Sequence, residues 1–214
     1  MARTSKKNEE DLLAIQLTVE NIQANEDIKA GLGEFNVTEE RVAEGENLYN
    51  TAHAKYKGQT KAYALQGAAS NYFINTRNTA RKTYVDYAKI ARKKFADDPD
   101  ALELLDLNGS RKRPLAEFIP QARRFYENGL GDVPLLEKLS SVGLTKERLE
   151  AGLALINETE AAYNRLQASR GTSQQATLDR NDSLAAALRW RSEILTISEV
   201  ALKDKPELLE KLGK

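Results

Sequence analysis

The segment Val37-Thr-Glu-Glu-Arg-Val42 recurs as Leu144-Thr-Lys-Glu-Arg-Leu149, and this repetition is the main evidence for the predicted fold. After a gapless shift of 107 positions, 16 of the 68 columns that pair 38–105 with 145–212 are identical. Ordinary composition gives about 4 identities in that many columns. We therefore predict an internal duplication, because repeated structural units leave self-similarity at one fixed period.

The repeat divides the chain into repeat unit one at 1–108 and repeat unit two at 109–214. Gly45 and Gly152 occupy the same column, and a glycine on the apolar side of a helix allows a neighbouring helix to approach closely. This favours one compact body with pseudo-two-fold symmetry. Two separate three-helix bundles joined near 108–114 are the alternative.

The pattern within each repeat is helical nearly throughout, because helix formers dominate and no stretch alternates like a strand. Thr38 and Thr145 are predicted N-caps. We expect a first helix, a short helical piece, two long antiparallel helices and a short helical tail in each repeat. The two long helices are predicted to be separated near Gly67 in unit one and at Arg170-Gly-Thr-Ser173 in unit two. The fold class is therefore all-α, an internally duplicated helical bundle.

Core positions are predicted from residues that recur at spacings of three and four, as in bundle helices. For the first long helix the stripe is Val42, Gly45, Tyr49, Ala52, Tyr56, Gln59 and Tyr63, with Leu149, Gly152, Ile156, Thr159, Tyr163, Leu166 and Arg170 as repeat partners. For the second it is Phe73, Ala80, Tyr87 and Ile90, and then Ala187, Trp190, Ile194 and Ile197.

Several kinds of catalytic and metal site are excluded by composition. The chain has no cysteine and one histidine, His53, so thiol chemistry and the paired Glu-x-x-His motifs of di-iron bundles are absent. There is no P-loop, Gly-x-Gly-x-x-Gly or Gly-x-Ser-x-Gly motif. We predict a protein that is not an enzyme and needs no metal or cofactor.

The overall charge is balanced, with 32 basic and 32 acidic residues and a formal net charge of zero. We see neither a signal-peptide pattern nor an apolar run approaching the roughly 20 residues of a membrane span. The sequence thus predicts a cytoplasmic protein without a membrane partner.

The charge is unevenly distributed between the repeats. Residues 55–94 carry ten basic residues and one acidic residue, Asp86, whereas the matching stretch 162–201 carries five basic and four acidic residues. The basic stretch also contains six aromatic residues. Cations interleaved with aromatics can bind phosphate groups and stack on bases.

The candidate interaction or anion-binding face is one side of the second long helix of unit one. It consists of Arg77, Arg81, Lys82, Lys89, Arg92 and Lys93. A merely solvated face, an acidic protein partner and a nucleic acid remain open. Arg111-Lys-Arg113 is interpreted as a solvated linker. The leading hypothesis is a non-enzymatic protein–protein interaction or scaffolding module, with self-association as one form of it. The alternative is a nucleic-acid-binding helical protein that uses 55–94.

Overall fold

The computed structural model describes residues 2–213, with side chains described for 6–213. This part of the chain is all-helical and contains no strand, which confirms the predicted class. The helices are α1 (Ala2–Ala24), α2 (Glu26–Gly33), α3 (Glu39–Lys94), α4 (Pro99–Leu104), α5 (Leu115–Gly131), α6 (Val133–Ser140), α7 (Lys146–Ala201) and α8 (Pro206–Lys211). Within the same residues no helix combines the length and apolar character that crossing a bilayer requires.

The helix bounds follow the period seen in the sequence. Helices α2, α3 and α4 have 8, 56 and 6 residues, and α6, α7 and α8 have the same lengths. The second three begin at 133, 146 and 206, each 107 positions after its counterpart. The chain thus contains the same order of short, long and short helices twice.

The prediction of two long helices per repeat is wrong, because α3 and α7 are each a single helix of 56 residues. No break occurs near Gly67 or at 170–173. Both Gly67 and Gly171 are exposed, with open space where a Cβ would be. A helical glycine costs only about 1 kcal/mol relative to alanine. Buried Leu166 and Ser173 flank the second site, so packing on both sides continues the helix through it.

The starts of the two long helices agree with the predicted caps. Helices α3 and α7 begin directly after Thr38 and Thr145. The Thr38 hydroxyl and the backbone amide of Glu40 lower the pKa of the Glu40 carboxyl, and Thr145 acts in the same way on Glu147. Negative charge in the first turn stabilises the exposed N–H groups there.

The chain folds into two compact units. One, the split unit, contains residues 1–64 and 171–214, and the other, the continuous unit, contains residues 65–170. Each therefore includes part of α3 and part of α7, which pack against each other in antiparallel fashion within a unit. The compact units divide the chain at other residues than the sequence repeats do.

The split unit packs α1, α2 and α8 around the first part of α3 and the last part of α7. Trp190 is its central aromatic residue, and its indole N–H donates to the Arg41 carbonyl at 3.0 Å. A Cβ at Gly45 would overlap the indole ring. The glycine therefore makes room for a large side chain, not for a neighbouring backbone as the sequence suggested.

Helix α1 and the residues that follow α8 also meet in the split unit. Arg191 on α7 donates from Nε to the Ala14 carbonyl at 3.1 Å and to the Thr18 hydroxyl at 2.9 Å. Its Nη2 lies 3.4 Å from the carbonyl oxygens of Leu212 and Gly213. One guanidinium thus fixes α1 and the end of α8 to the same turn of α7.

The continuous unit has an aromatic core between α3, α5 and α7. Tyr84 packs edge-to-face against Phe118 and Phe125, with ring centroids 5.8 and 5.6 Å away. The Tyr126 ring occupies the space that Gly152 leaves on α7. Here too a predicted core glycine accommodates an aromatic side chain.

The predicted core stripe is correct at many positions but wrong near the middle of both long helices, where Tyr63, Tyr163 and Arg170 are exposed, and at the end of α3. Ile90 is 40% exposed, and Tyr84 is buried instead. The buried aromatics Phe73, Tyr84 and Phe95 recur every 11 residues. An 11-residue repeat corresponds to 3.67 residues per turn and a 7-residue repeat to 3.5, so a heptad stripe extended along α3 moves away from the buried face.

Candidate functional site

The six residues predicted as an interaction or anion-binding face all lie on the part of α3 that belongs to the continuous unit. The structure places them in three groups. Arg81 and Arg92 bind the segment that connects α4 and α5. Lys82, Lys89 and Lys93 are exposed, and Arg77 packs on an aromatic ring. The residues therefore do not form a single face.

The two arginines hold the connecting segment through its backbone. Arg81 donates to the carbonyl oxygens of 112–113 at 3.4 and 3.2 Å. Arg92 donates from Nε to the Leu107 carbonyl at 3.0 Å and from Nη2 to the Gly109 carbonyl at 3.2 Å. Carbonyl oxygens are neutral, so neither cation is balanced by these bonds. A guanidinium has five N–H groups, and each arginine uses two of them here.

These contacts form one wall of a cleft of about 770 Å³, which we call the arginine cleft. Its basic residues are Arg81, Arg92, Arg111, Lys112 and Arg113. Val85 and Phe118 contribute apolar surface, and no acidic residue is among the described residues that line it. The cleft therefore concentrates positive charge beside an apolar wall.

Two acidic residues close in sequence to residues that line the arginine cleft have basic partners. Lys112 Nζ lies 3.4 Å from Glu117, so one of the five cations is paired at the rim. Asp106 pairs with Arg124 at 3.3 Å, outside the lining. The four arginines thus carry most of the cleft's positive charge.

Tyr84 lines the cleft, is 1% exposed, and its hydroxyl has no hydrogen-bond partner in the described part of the chain. Burial raises the pKa of this hydroxyl to about 12, while the charges of Arg92 and Arg111 act in the opposite direction. Buried polar groups are nearly always hydrogen-bonded. The Tyr84 hydroxyl is therefore a buried donor without an acceptor among the described residues, and Asp106 as well as Arg92 and Arg111 acts on it electrostatically.

The exposed lysines form a second surface, which we call the lysine face: Lys82, Lys89, Lys93 and Lys94 with Asp86, Ile90 and Val142. Lys89, Lys93 and Lys94 line one groove together with Ile90 and Val142, which are 40% and 36% exposed. None of the four lysines forms an ion pair with another described residue. Cations here surround exposed apolar side chains.

Arg77 belongs to neither surface. Its guanidinium carbon lies 5.7 Å from the Phe73 ring centroid, and Nη2 is 3.5 Å from the Asn78 side-chain oxygen. Nε is buried without a partner in the described residues. The aliphatic stem and the cation thus cover the aromatic ring.

Two features of the arginine cleft were not predicted from the sequence. Residues 111–113 are exposed in the segment between α4 and α5, as expected of a solvated linker, but they also line the cleft. Sequence patterns also identified Tyr84 only as one of several aromatics in the basic stretch. The run of three basic residues at 111–113 was the one feature of the sequence that could have indicated a basic site there. The hydrogen bonds between α3 and residues 107–113 are tertiary contacts, which no local pattern predicts.

The described residues contain no group of three or more His, Cys, Asp or Glu side chains that could hold a metal ion. No protein-family model, curated protein or solved structure matches this chain.

Proposed function

We propose that the protein is a non-enzymatic protein–protein interaction module that binds an acidic segment of a partner on its lysine face. The observation that carries the proposal is a groove in which three exposed lysines, Lys89, Lys93 and Lys94, unpaired within the described chain, lie beside Ile90 and Val142 with Asp86 as the one acidic lining residue. Interfaces between proteins combine an apolar centre with a polar rim. Complementary charge raises the association rate and selects the partner.

The aromatic residues of the basic stretch favour a protein partner over a nucleic acid. Binding of single strands without sequence preference uses exposed aromatic rings as stacking platforms. Phe73 and Tyr84 are buried in the core, and the two aromatics that are exposed, Tyr63 at 42% and Tyr72 at 43%, do not belong to the lysine face. Tyr72 donates its hydroxyl to Glu158 on α7, and Tyr87 packs edge-to-face on Tyr126. The lysine face itself thus contains no aromatic platform.

The test is fluorescence anisotropy with two labelled probes, an amphipathic Glu/Leu peptide and a single-stranded oligonucleotide, each over a salt series. Lys89→Glu/Lys93→Glu should weaken peptide binding about tenfold or more, because it reverses two charges at the site. The matched control is Lys57→Glu/Lys61→Glu, which changes two exposed lysines at the same spacing on the same helix and should leave binding nearly unchanged.

Ile90→Ser separates the two hypotheses. Loss of the apolar centre should weaken peptide binding several-fold, whereas phosphate contacts do not require it. An oligonucleotide that binds more tightly than the peptide, with the steep salt dependence of phosphate contacts, would overturn the proposal. Equal effects of the two charge-reversal variants would overturn it as well.

We also infer that the chain arose by internal duplication. The identical lengths and the offset of 107 between α2–α4 and α6–α8 support this, together with the identities between 38–105 and 145–212. The superposition of 38–105 on 145–212 in an experimental structure tests it. Unlike packing at equivalent positions throughout would contradict it.

A further inference from the structure

The arginine cleft carries an inference beyond the lysine face, because it is built to bind an anion. Its wall contains the guanidinium groups of Arg81 and Arg92, which the connecting segment holds in place through neutral carbonyl oxygens. Arg111 is exposed at the same cleft. Guanidinium groups fixed in this way keep N–H donors for a ligand, and their planar geometry matches phosphate oxygens.

The buried hydroxyl of Tyr84 is the independent observation that points to a ligand. Tyr84 lines the same cleft, its hydroxyl has no hydrogen-bond partner within residues 6–213, and its side chain is almost fully buried. Arg92 and Arg111 act on this hydroxyl electrostatically, and Asp106 acts on it with the opposite sign. A buried hydroxyl without a hydrogen-bond partner lowers the free energy of unfolding of the protein. A ligand oxygen that accepts from this hydroxyl removes that cost when it binds.

The equivalent position in the split unit is occupied differently. Counting 107 residues on from Tyr84 leads to Arg191, whose guanidinium is bound to three carbonyl oxygens and one hydroxyl. That position is satisfied entirely by the chain itself. The orphan hydroxyl is therefore specific to the continuous unit and is not a necessity of the helical arrangement.

We propose that the arginine cleft binds a small molecule with two or more linked phosphate groups, held by Arg81, Arg92, Arg111 and the Tyr84 hydroxyl. Several cations spread over a cleft of about 770 Å³ match several charged groups better than a single phosphate. This volume lies within the usual range for small-molecule sites. Val85 provides apolar surface for the uncharged part of such a ligand, whereas Phe118 is 2% exposed, with the Arg81 guanidinium carbon 5.7 Å from its ring centroid.

The first experiment is isothermal titration calorimetry of the full chain with inorganic tripolyphosphate, pyrophosphate and phosphate at low salt. We expect affinity to fall in that order, and thermal stability to rise with ligand concentration as linkage requires. Arg111→Gln should reduce tripolyphosphate affinity about tenfold, the usual size of one charge-assisted contact. It should leave the melting temperature of the free protein unchanged, because Arg111 is exposed and forms no ion pair with the other described residues.

Tyr84→Phe gives a second, sharper test with two opposite readouts. It removes the orphan hydroxyl, so the free protein should melt at a higher temperature while tripolyphosphate affinity falls about tenfold. Tyr126→Phe is the matched control, since its hydroxyl is also buried and unpartnered among the described residues but does not line the cleft. It should raise the melting temperature without changing tripolyphosphate affinity.

Three outcomes would overturn the proposal. One is the absence of heat and of thermal stabilisation with tripolyphosphate. Another is an equal loss of affinity in the Tyr84→Phe and Tyr126→Phe variants. The third is a single-stranded oligonucleotide that binds with the same dependence on Arg111 while tripolyphosphate does not bind, because the phosphates would then belong to a nucleic-acid backbone. Lys89→Glu/Lys93→Glu should leave tripolyphosphate binding within a few-fold, which separates this proposal from that of the lysine face.

Discussion

Replacing Gly45 by alanine tests how the Trp190 ring is held. An added Cβ would lie more than an ångström inside van der Waals contact with the indole, and the nearest atoms belong to the rigid ring system. The ring is 5% exposed and donates its N–H to the Arg41 carbonyl at 3.0 Å. It therefore has neither free space nor a flexible end with which to accommodate the methyl group.

The expected magnitude follows from three opposing effects. Overpacking of a filled core costs about 1–3 kcal/mol, and displacement of the indole N–H from its acceptor costs about 1 kcal/mol more. Alanine gains about 1 kcal/mol over glycine within a helix. The free energy of unfolding should therefore fall by about 1–3 kcal/mol, and the melting temperature by about 3–10 °C for a chain of this size.

The assay is urea unfolding followed by far-UV circular dichroism, with the fluorescence of Trp190, the only tryptophan, as a local report. Gly58→Ala is the matched control, because Gly58 lies on the same helix and in the same unit with open space at its Cβ. It should stabilise the protein by up to about 1 kcal/mol. In a Trp190→Leu background, Gly45→Ala should no longer destabilise. A Gly45→Ala variant as stable as Gly58→Ala, or an unchanged loss of stability in the Trp190→Leu background, would show that contact with the indole ring does not exclude a side chain at position 45.

Two further predictions concern the contacts that close each compact unit. Arg191→Met keeps the aliphatic stem but leaves the Thr18 hydroxyl and the Leu212 carbonyl without this donor. The free energy of unfolding, measured in urea, should therefore fall by about 2–3 kcal/mol. A loss below about 0.5 kcal/mol would show that these hydrogen bonds contribute little. Lys138 and the Ala101 amide lower the pKa of Asp98 in the folded state, so the stability from this carboxylate is present above its unfolded-state pKa and is lost as the pH falls through the lower folded-state value. The difference in melting temperature between wild type and Asp98→Asn should accordingly shrink from pH 7 towards acid, measured by thermal denaturation with circular dichroism, and a constant difference would contradict the assignment.

Local patterns predicted the parts of the fold that depend on local physics. Helix class and the start of α3 after Thr38 follow from helix propensity and capping, which act over a few residues. The continuity of α3 and α7 was mispredicted because an exposed glycine has the same local signature in a break and in a helix. Packing of the residues before and after the glycine determines whether the helix continues. On α7, Leu166 and Ser173 on the two sides of Gly171 are both buried.

The candidate site, too, depends on tertiary contacts that local sequence patterns do not reveal. Charge counting along the sequence found the basic part of α3, but it could not separate Arg81, which binds a loop backbone, from Lys82, which faces solvent. That difference arises because residues 107–113 fold back on α3. Whether two neighbouring cations act together is thus decided by a segment about thirty residues away in sequence.

The division of α3 and α7 between two compact units has a consequence during synthesis on the ribosome. The continuous unit is complete once residue 170 has emerged, because all of its helices lie between 65 and 170. The split unit cannot close until residue 212 is available to meet Thr18. Until then α1 presents Ile15 and Ile22, both almost fully buried at the end, without their partners on α7 and α8. Helix α1 is therefore made well before the segments of α7 and α8 that complete its packing, and its apolar side chains lack those partners during that interval.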